Sequence, residues 1–390
     1  MKIGIDARML GYSGIGRYTE NLMREILQID KKNKYVLFVQ KSKEGFKKFI
    51  NPESKISNLK IVEVDAPIYS FKEQYNFLKA VNNEKLDVMH FTHFNRPIFY
   101  NRPSVVTIHD LTPIYFPGKK RSSFIEQFAY RLVLRAALKK ANRIIAISNF
   151  TKNDILKNFP FINNKKIKVI YEGIHFATTA KLKIKNKKRK NILENWKLKI
   201  GNYLLYVGVW REHKNLIGLI RAFEKLKSIN HKSKFLNLKL VIVGKPNPYY
   251  CEVQEMAERS PFKKEIIFTG YLPDEELSFL YQNAAAFVFP SFYEGFGLPP
   301  LEAMEYRCPV VSSNAASLPE ILGDAALYFN PYDIDDMVDK IKKIIQDKKL
   351  RNDLIEKGKK RVLKYSWQKM AQETLKVYNE ITKKDLRNKI

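Results

Sequence analysis

Two glutamates, Glu294 and Glu302, stand eight positions apart with Gly295, Gly297, Pro299 and Pro300 between them. The apolar run 284–289 just before them reads as a buried strand, and the run 301–305 reads as a helix. The prolines fall where that helix should begin, where a missing N–H costs nothing. The segment is then strand, glycine loop and helix N-terminus, a geometry that offers amides and a positive dipole end to an anion. Glu294 stands on the loop and Glu302 in the first helical turn. A carboxylate can accept two hydrogen bonds from a vicinal diol such as a ribose edge. A phosphate held by the loop, with a sugar on either side, fits the arrangement. Taken alone, the same pattern also arises by chance in α/β proteins, so other residues must support it.

Further groups could carry chemistry. Gly11, Gly14 and Gly16 follow the first strand and let backbone approach a ligand closely, although an ordinary strand–helix turn has the same look. His109 and Asp110 end a later strand, and His90 and His93 end the one before it. Three histidines could in principle hold a metal, but no carboxylate has suitable local spacing. The segment 206–215 contains Gly208, Val209, Arg211, His213 and Lys214. Its two longest basic side chains can reach a diphosphate, for which lysine is a compact partner; a solvated basic loop is the plain alternative. Asp333, Asp335 and Asp336 look like a metal-binding pair but read better as helix caps.

These residues need a scaffold. Short apolar runs recur at 2–7, 35–40, 60–64, 88–91, 104–108, 143–147 and 167–171. A second set follows at 203–209, 238–243, 266–269, 284–289, 309–312 and 326–329. Helical patterns such as 18–29 and 124–141 separate most of them, which implies parallel sheets with right-handed crossovers. Two sets imply two doubly wound domains, with ligands at the carboxyl ends of the strands. The boundary should lie between Gly173 and Gly201, where residues 181–199 carry nine basic side chains and one acid, Glu194. The last segment reads as an amphipathic helix with apolar Met370, Leu375, Val377, Tyr378 and Ile381.

A chain of 390 residues, 45% hydrophobic and 28% charged, is globular and long enough for two cores. No run is long enough to span a membrane, and the N-terminus lacks a signal-peptide core. Two cysteines supply neither a disulfide framework nor metal-ligand spacing, which points to a reducing cytoplasm. The net charge of +30 comes mainly from lysine. It suits nucleic acid, an anionic membrane or a general lysine bias. In the segment 124–141, Arg131, Arg135 and Lys139 make one basic stripe, while Ile125, Phe128, Leu132 and Ala136 line another face. That suits anionic lipid; a solvated surface helix is the alternative.

In this order the motifs resemble the retaining glycosyltransferases of family 4, which have the GT-B architecture. The match runs over nearly the whole chain, and its most specific part is the Glu-x7-Glu motif from Glu294 to Glu302. The resemblance implies two Rossmann-like domains around a deep interdomain cleft. Residues 1–180, completed by the helix 367–390, would form the acceptor-side domain, and 181–366 the nucleotide-sugar domain. It implies that Glu302 binds the donor ribose and Glu294 faces the donor sugar. Phe296, Gly297 and Leu298 would offer amides near the diphosphate, and Lys214 would neutralise it. His109 would lie beside the transferred sugar, and Gly14 and Gly16 near the phosphates. Tyr271 and Leu272, in the matching segment after Gly270, join the donor-binding set. Many members carry arginine where this chain has Val209; Arg211 or His213 would then supply the second positive group. The ending His213-Lys214-Asn215 is similar to a subgroup rich in mannosyltransferases and points to GDP-mannose.

The expected activity is hexosyl transfer, with retention, from a nucleotide-diphosphate sugar to a hydroxyl of a saccharide or lipid-linked saccharide in cell-surface polysaccharide synthesis. No cofactor or metal is expected, because the positive set can stabilise the leaving diphosphate. The expected place is the cytoplasm, peripheral at the inner face of the plasma membrane, with no nucleic-acid partner. The alternatives are a GT-B-fold sugar-nucleotide epimerase, a catalytically silent partner subunit, and a non-enzymatic nucleic-acid-binding protein.

Overall fold

The computed structural model describes residues 1–12, 14–41, 57–119, 124–174, 192–229 and 235–387, with side chains to Ile381. Ser13, the linker stretch 181–191 and the far end of the expected terminal helix lie outside the described residues. The chain forms two units: Met1–Leu111, Ser123–Gly173 and Tyr365–Ile390 make the first, and Thr112–Ser122 with Ile174–Lys364 the second. The segment Thr112–Ser122 thus clusters with the second unit, although it lies inside the first run of sequence.

The first unit is built on a seven-stranded sheet: β1 (Lys2–Asp6), β2 (Lys34–Gln40), β3 (Leu59–Val64), β4 (Val88–Phe91), β5 (Ser104–Ile108), β6 (Arg143–Ala146) and β7 (Ile167–Val169). Their order is β3-β2-β1-β4-β5-β6-β7, and every pairing is parallel. The helices are α1 (Gly14–Ile29), α2 (Leu78–Asn83), α3 (Phe124–Lys140) and α4 (Asn149–Asn158). β1 and β4 to β6 are almost wholly buried and apolar, as a parallel sheet covered on both faces requires.

The second unit repeats the plan with β8 (Tyr203–Val207), β9 (Lys239–Val243), β10 (Ile266–Gly270), β11 (Ala286–Phe289), β12 (Val310–Ser313) and β13 (Ala326–Phe329). The order is β10-β9-β8-β11-β12-β13, again parallel throughout. Its helices include α5 (Leu216–Ile229), α6 (Glu252–Arg259), α7 (Asp274–Asn283), α8 (Leu298–Glu305), α9 (Ile334–Gln346) and α10 (Lys348–Val362). In each sheet the order reverses beside the first strand, β1 or β8. Loops diverge there, and a crevice opens at the carboxyl edge. Both units are doubly wound and Rossmann-like, as the alternation of strands and helices implies.

The C-terminal helix Trp367–Arg387 packs on the first unit. Trp367, Met370, Ala371, Thr374, Val377, Tyr378 and Ile381 are buried at helical spacing. Leu375, expected on that face, is only half-buried; Thr374 takes the inward place one residue earlier. A Cβ on Gly173 would sit 2.1 Å from Trp367 N, so only glycine allows the helix to start there. Tyr378 Oη lies 2.6 Å from His90 Nδ1, and His90 Nε2 lies 2.8 Å from Thr107 Oγ1. His90 therefore joins the helix to the sheet rather than facing a ligand. Burial, with a smaller contribution from His109, pushes its imidazole down to about 3, so it stays neutral.

Asp333 caps α9, its carboxylate accepting from the amides of Asp335 and Asp336. Among the described residues, no group of three His, Cys, Asp or Glu side chains could hold a metal ion, and no helix is long and apolar enough to cross a membrane.

Candidate active site

Four loops at the carboxyl edge of the second sheet bring most of the expected residues together. β8 ends at Val207, and the chain turns through Gly208 to a short 3-10 turn, Glu212–Lys214. Gly208 O fills the space where a Cβ on Gly244 would sit, at 2.0 Å. This close approach at the ends of β8 and β9 requires glycine at 244. Asn215 follows in the left-handed region, φ 54°. Its Oδ1 accepts from Gly218 N at 3.2 Å and caps α5, while Nδ2 donates to Pro290 O and Pro331 O at 3.2 and 3.0 Å. The loop is thereby tied to the chain leaving β11 and β13, and Phe292 N donates to His213 O at 2.7 Å.

That tie sets the central contact. Lys214 Nζ donates to Glu294 Oε1 at 2.6 Å, with the two side chains 13% and 11% exposed. The ammonium also lies 5.3 Å from the Phe289 ring centroid. Ser317 Oγ donates to Glu294 O at 2.9 Å and holds the glutamate's backbone. Lys214 and Glu294 are thus a partly buried ion pair, each the other's counter-charge.

Gly297 has φ +92° and precedes α8, which begins at Leu298. Pro299 and Pro300 therefore occupy the second and third helical positions and contribute no N–H. The donors that α8 can turn to an anion reduce to the amides of Gly297 and Leu298, plus the dipole. Phe296, Leu298 and Leu272 point their side chains into the core, leaving their backbone as the part available to a ligand. Glu302 Oε2 accepts from Tyr281 Oη at 3.3 Å, and Tyr281 stacks on Tyr306 at 5.6 Å.

The other cation of this loop, Arg211, is exposed. His213 is buried, and burial, then Lys214 and Arg211, push its imidazole down to about 2, which favours the neutral ring. Val209 is exposed beside them, and Tyr271 is 70% exposed with Lys245 Nζ 5.8 Å from its ring.

The remaining candidates belong to the first unit. A Cβ on Gly16 would meet Met9 O at 2.7 Å, so this glycine lets α1 lie on the turn after β1, whereas Gly14 faces open space. That turn is anchored by buried Arg8, whose guanidinium lies 2.8 Å from both Asp6 and Glu73 and 3.7 Å over the Phe77 ring. His109 follows β5. Its Nε2 lies 2.9 Å from Thr92 O and its Nδ1 3.1 Å from Glu172 Oε1. A carbonyl can only accept, so Nε2 carries a proton. Both ring nitrogens are engaged, and a ligand hydroxyl reaches the imidazole only by taking over one of these bonds.

The pattern described as "Glycosyl transferases group 1" matches residues 187–361, and "Glycosyltransferase Family 4" matches residues 12–177. O-antigen chain mannosyltransferase B of Escherichia coli is 31% identical over 307 residues, 77% of this chain and 76% of that one. The chain belongs to the family 4 glycosyltransferases. O-antigen chain mannosyltransferase RfbU of Salmonella typhimurium is 30% identical to this glycosyltransferase over 305 residues, 78% of this chain and 76% of that one. Among solved structures, HepE from Anabaena in complex with UDP and glucose superposes with a TM-score of 0.76, at 15% identity, over 97% of this chain and all of that one (100%). The fold of the glycosyltransferase is GT-B: two Rossmann-like domains, each with a parallel sheet between helices.

Four supporting residues of the glycosyltransferase escaped the sequence reading: Tyr281, Ser317, Lys245 and Glu172. Glu172 had a signal, because it follows the carboxyl end of β7, where ligand-side groups gather. The other three act across 20 or more positions of sequence, and no local pattern marks them.

Proposed function

We propose that this glycosyltransferase is a retaining, metal-independent hexosyltransferase that moves mannose from GDP-mannose to a hydroxyl of a saccharide or lipid-linked saccharide acceptor in cell-surface polysaccharide synthesis. The observation that carries the reading is the Lys214–Glu294 pair, 2.6 Å apart, next to the start of α8. A cation already held at a helix N-terminus suits a diphosphate leaving group. The names of the relatives, O-antigen chain mannosyltransferases, support mannose and a surface polysaccharide.

In the proposed reaction the bond from the sugar's anomeric carbon to the β-phosphate oxygen breaks, and negative charge grows on that phosphate. In this reading Lys214, Arg211 and the Gly297 and Leu298 amides receive it. The acceptor hydroxyl attacks on the face the phosphate leaves, and its proton passes to the departing phosphate. Glu302 holds the ribose hydroxyls, Glu294 the donor sugar, and His109 a sugar hydroxyl in exchange for one of its present partners. Tyr271 and the backbone of Leu272 and Val209 complete the donor set, to which the family resemblance would add Gly14 and Gly16.

The proposed place of work is the inner face of the plasma membrane. α3 packs through Leu134, Ala137 and Leu138, leaving Phe124, Ile125, Phe128 and Leu132 exposed together with Arg131, Arg135 and Lys139. Apolar and basic groups on one exposed helix suit an anionic bilayer.

A thermal-shift panel of GDP, UDP, dTDP and ADP sugars tests the donor. At one hundred times Kd a ligand stabilises by about 2.7 kcal/mol. GDP-mannose should give the largest rise in Tm. A larger rise with a UDP sugar would overturn mannose while leaving glycosyl transfer intact.

A further inference from the structure

A cavity of about 350 Å³ opens at the C-terminal end of α3. Arg135, Lys139, Phe161, Ile162, Asn163 and Lys166 line it. The Arg135 guanidinium stands 4.5 Å over the Phe161 ring, which fixes its plane. Lys166 Nζ donates to Leu138 O at 2.8 Å and Lys139 O at 2.7 Å, which satisfies two end carbonyls of α3 and holds the ammonium at the wall. Burial, with repulsion from Arg96 and Arg143, pushes this ammonium down to about 8. No carboxylate offsets it, and none lines the cavity among the described residues. Three cations over an aromatic and aliphatic floor therefore share one small space.

The cavity continues the exposed face of α3. Phe124 is 83% exposed, Ile125 77% and Phe128 61%. Such side chains are stable in the acyl boundary of a bilayer, and a helix lying there brings its basic stripe to headgroup level. A water-borne phosphate compound would gain nothing from the apolar row, so the pairing favours a lipid.

We propose that this cavity is a binding site for the phosphate of an anionic phospholipid headgroup, formed by Arg135, Lys139 and Lys166 while α3 lies in the membrane surface. The inference deepens the membrane reading given above and rests on it. The phosphate meets the guanidinium through paired N–H donors and the ammonium groups as point charges. The glycerol backbone lies against Phe161.

The test uses the full chain and dihexanoyl-phosphatidylglycerol below its micelle concentration, with dihexanoyl-phosphatidylcholine and glycerol 1-phosphate as the other arms. Titration calorimetry should show saturable binding of the phosphatidylglycerol alone. The double variant Arg135→Gln/Lys139→Gln should weaken it roughly 30-fold, the loss expected for two basic residues at an anionic surface. Phe128→Ser/Leu132→Ser should keep soluble headgroup binding and lose sedimentation with phosphatidylglycerol vesicles. All four residues are exposed, and the wild-type arms do not depend on any variant folding. Equal binding of glycerol 1-phosphate would overturn the lipid source. Unchanged affinity in the Gln variant would overturn the residues named. Wild-type sedimentation with vesicles but no soluble headgroup binding would overturn the cavity and leave membrane docking standing. No sedimentation at low salt would overturn both.

Discussion

Replacing Glu294 by glutamine should move nucleotide affinity and turnover in opposite directions. In the present arrangement Lys214 Nζ is committed to Glu294 Oε1 at 2.6 Å, and both side chains are nearly nine-tenths buried. A diphosphate that takes Lys214 must first compete with that carboxylate. A hydrogen bond to a charged group is worth about 1.5–3 kcal/mol and a neutral one about 0.5–1.5 kcal/mol. The Glu294→Gln side chain keeps the shape and loses the charge, so the competition falls by about 1–1.5 kcal/mol. GDP should then bind roughly 5–10-fold more tightly, as read by titration calorimetry. Turnover should fall roughly 10²-fold or more, because a group facing the donor sugar is lost. The free variant should also melt lower, since Lys214 loses its counter-charge, by about 2–4 °C for each kcal/mol in a domain of this size. Saturating GDP should recover more of that loss than it adds to the wild type. GDP affinity that falls or stays level in a folded Glu294→Gln variant would mean that Lys214 does not serve the diphosphate, and the assignment would fail.

Lys214→Ala should lower kcat by roughly 10²-fold, the scale for one preorganised charge-stabilising group, and near-normal kcat would pass the role to Arg211. Glu302→Ala should weaken GDP binding by about 1.5–3 kcal/mol, and unchanged calorimetric affinity would remove Glu302 from the ribose. Activity should persist in EDTA; complete loss with rescue by Mg²⁺ or Mn²⁺ would restore a metal to the mechanism. His90 is neutral when folded, its imidazole held near about 3, whereas an unfolded histidine takes a proton near about 6.5. The unfolded chain therefore binds more protons below that value, and stability falls as pH drops from about 6.5 toward 4. His90→Gln should flatten the slope of Tm against pH in that window, and an unchanged slope would assign the acid sensitivity elsewhere.

The architecture was legible because parallel strands buried on both faces must be short apolar runs, and all thirteen strands among the described residues fall on such runs. The Glu294-to-Glu302 segment was legible as strand, glycine loop and helix start, local events set by side-chain size, φ and the missing N–H of proline, although the helix begins at Leu298, ahead of the prolines, and Glu302 falls in its second turn. Lys214 and Arg211 stand out in the sequence for the same reason, as long basic side chains just past the end of a strand. What required the folded chain was partnership. Nothing local says that Lys214 meets Glu294 80 positions away, or that Asn215 ties its loop to Pro290 and Pro331. Burial likewise separated histidines that look alike in sequence. His90 went to Tyr378 of the terminal helix and His109 to Glu172, while burial, with repulsion from Lys214 and Arg211, holds His213 well below the usual histidine range. A residue type states which bonds a side chain can make. The packing of distant segments fixes its solvent exposure and its neighbours, and these set its charge and the bonds it makes.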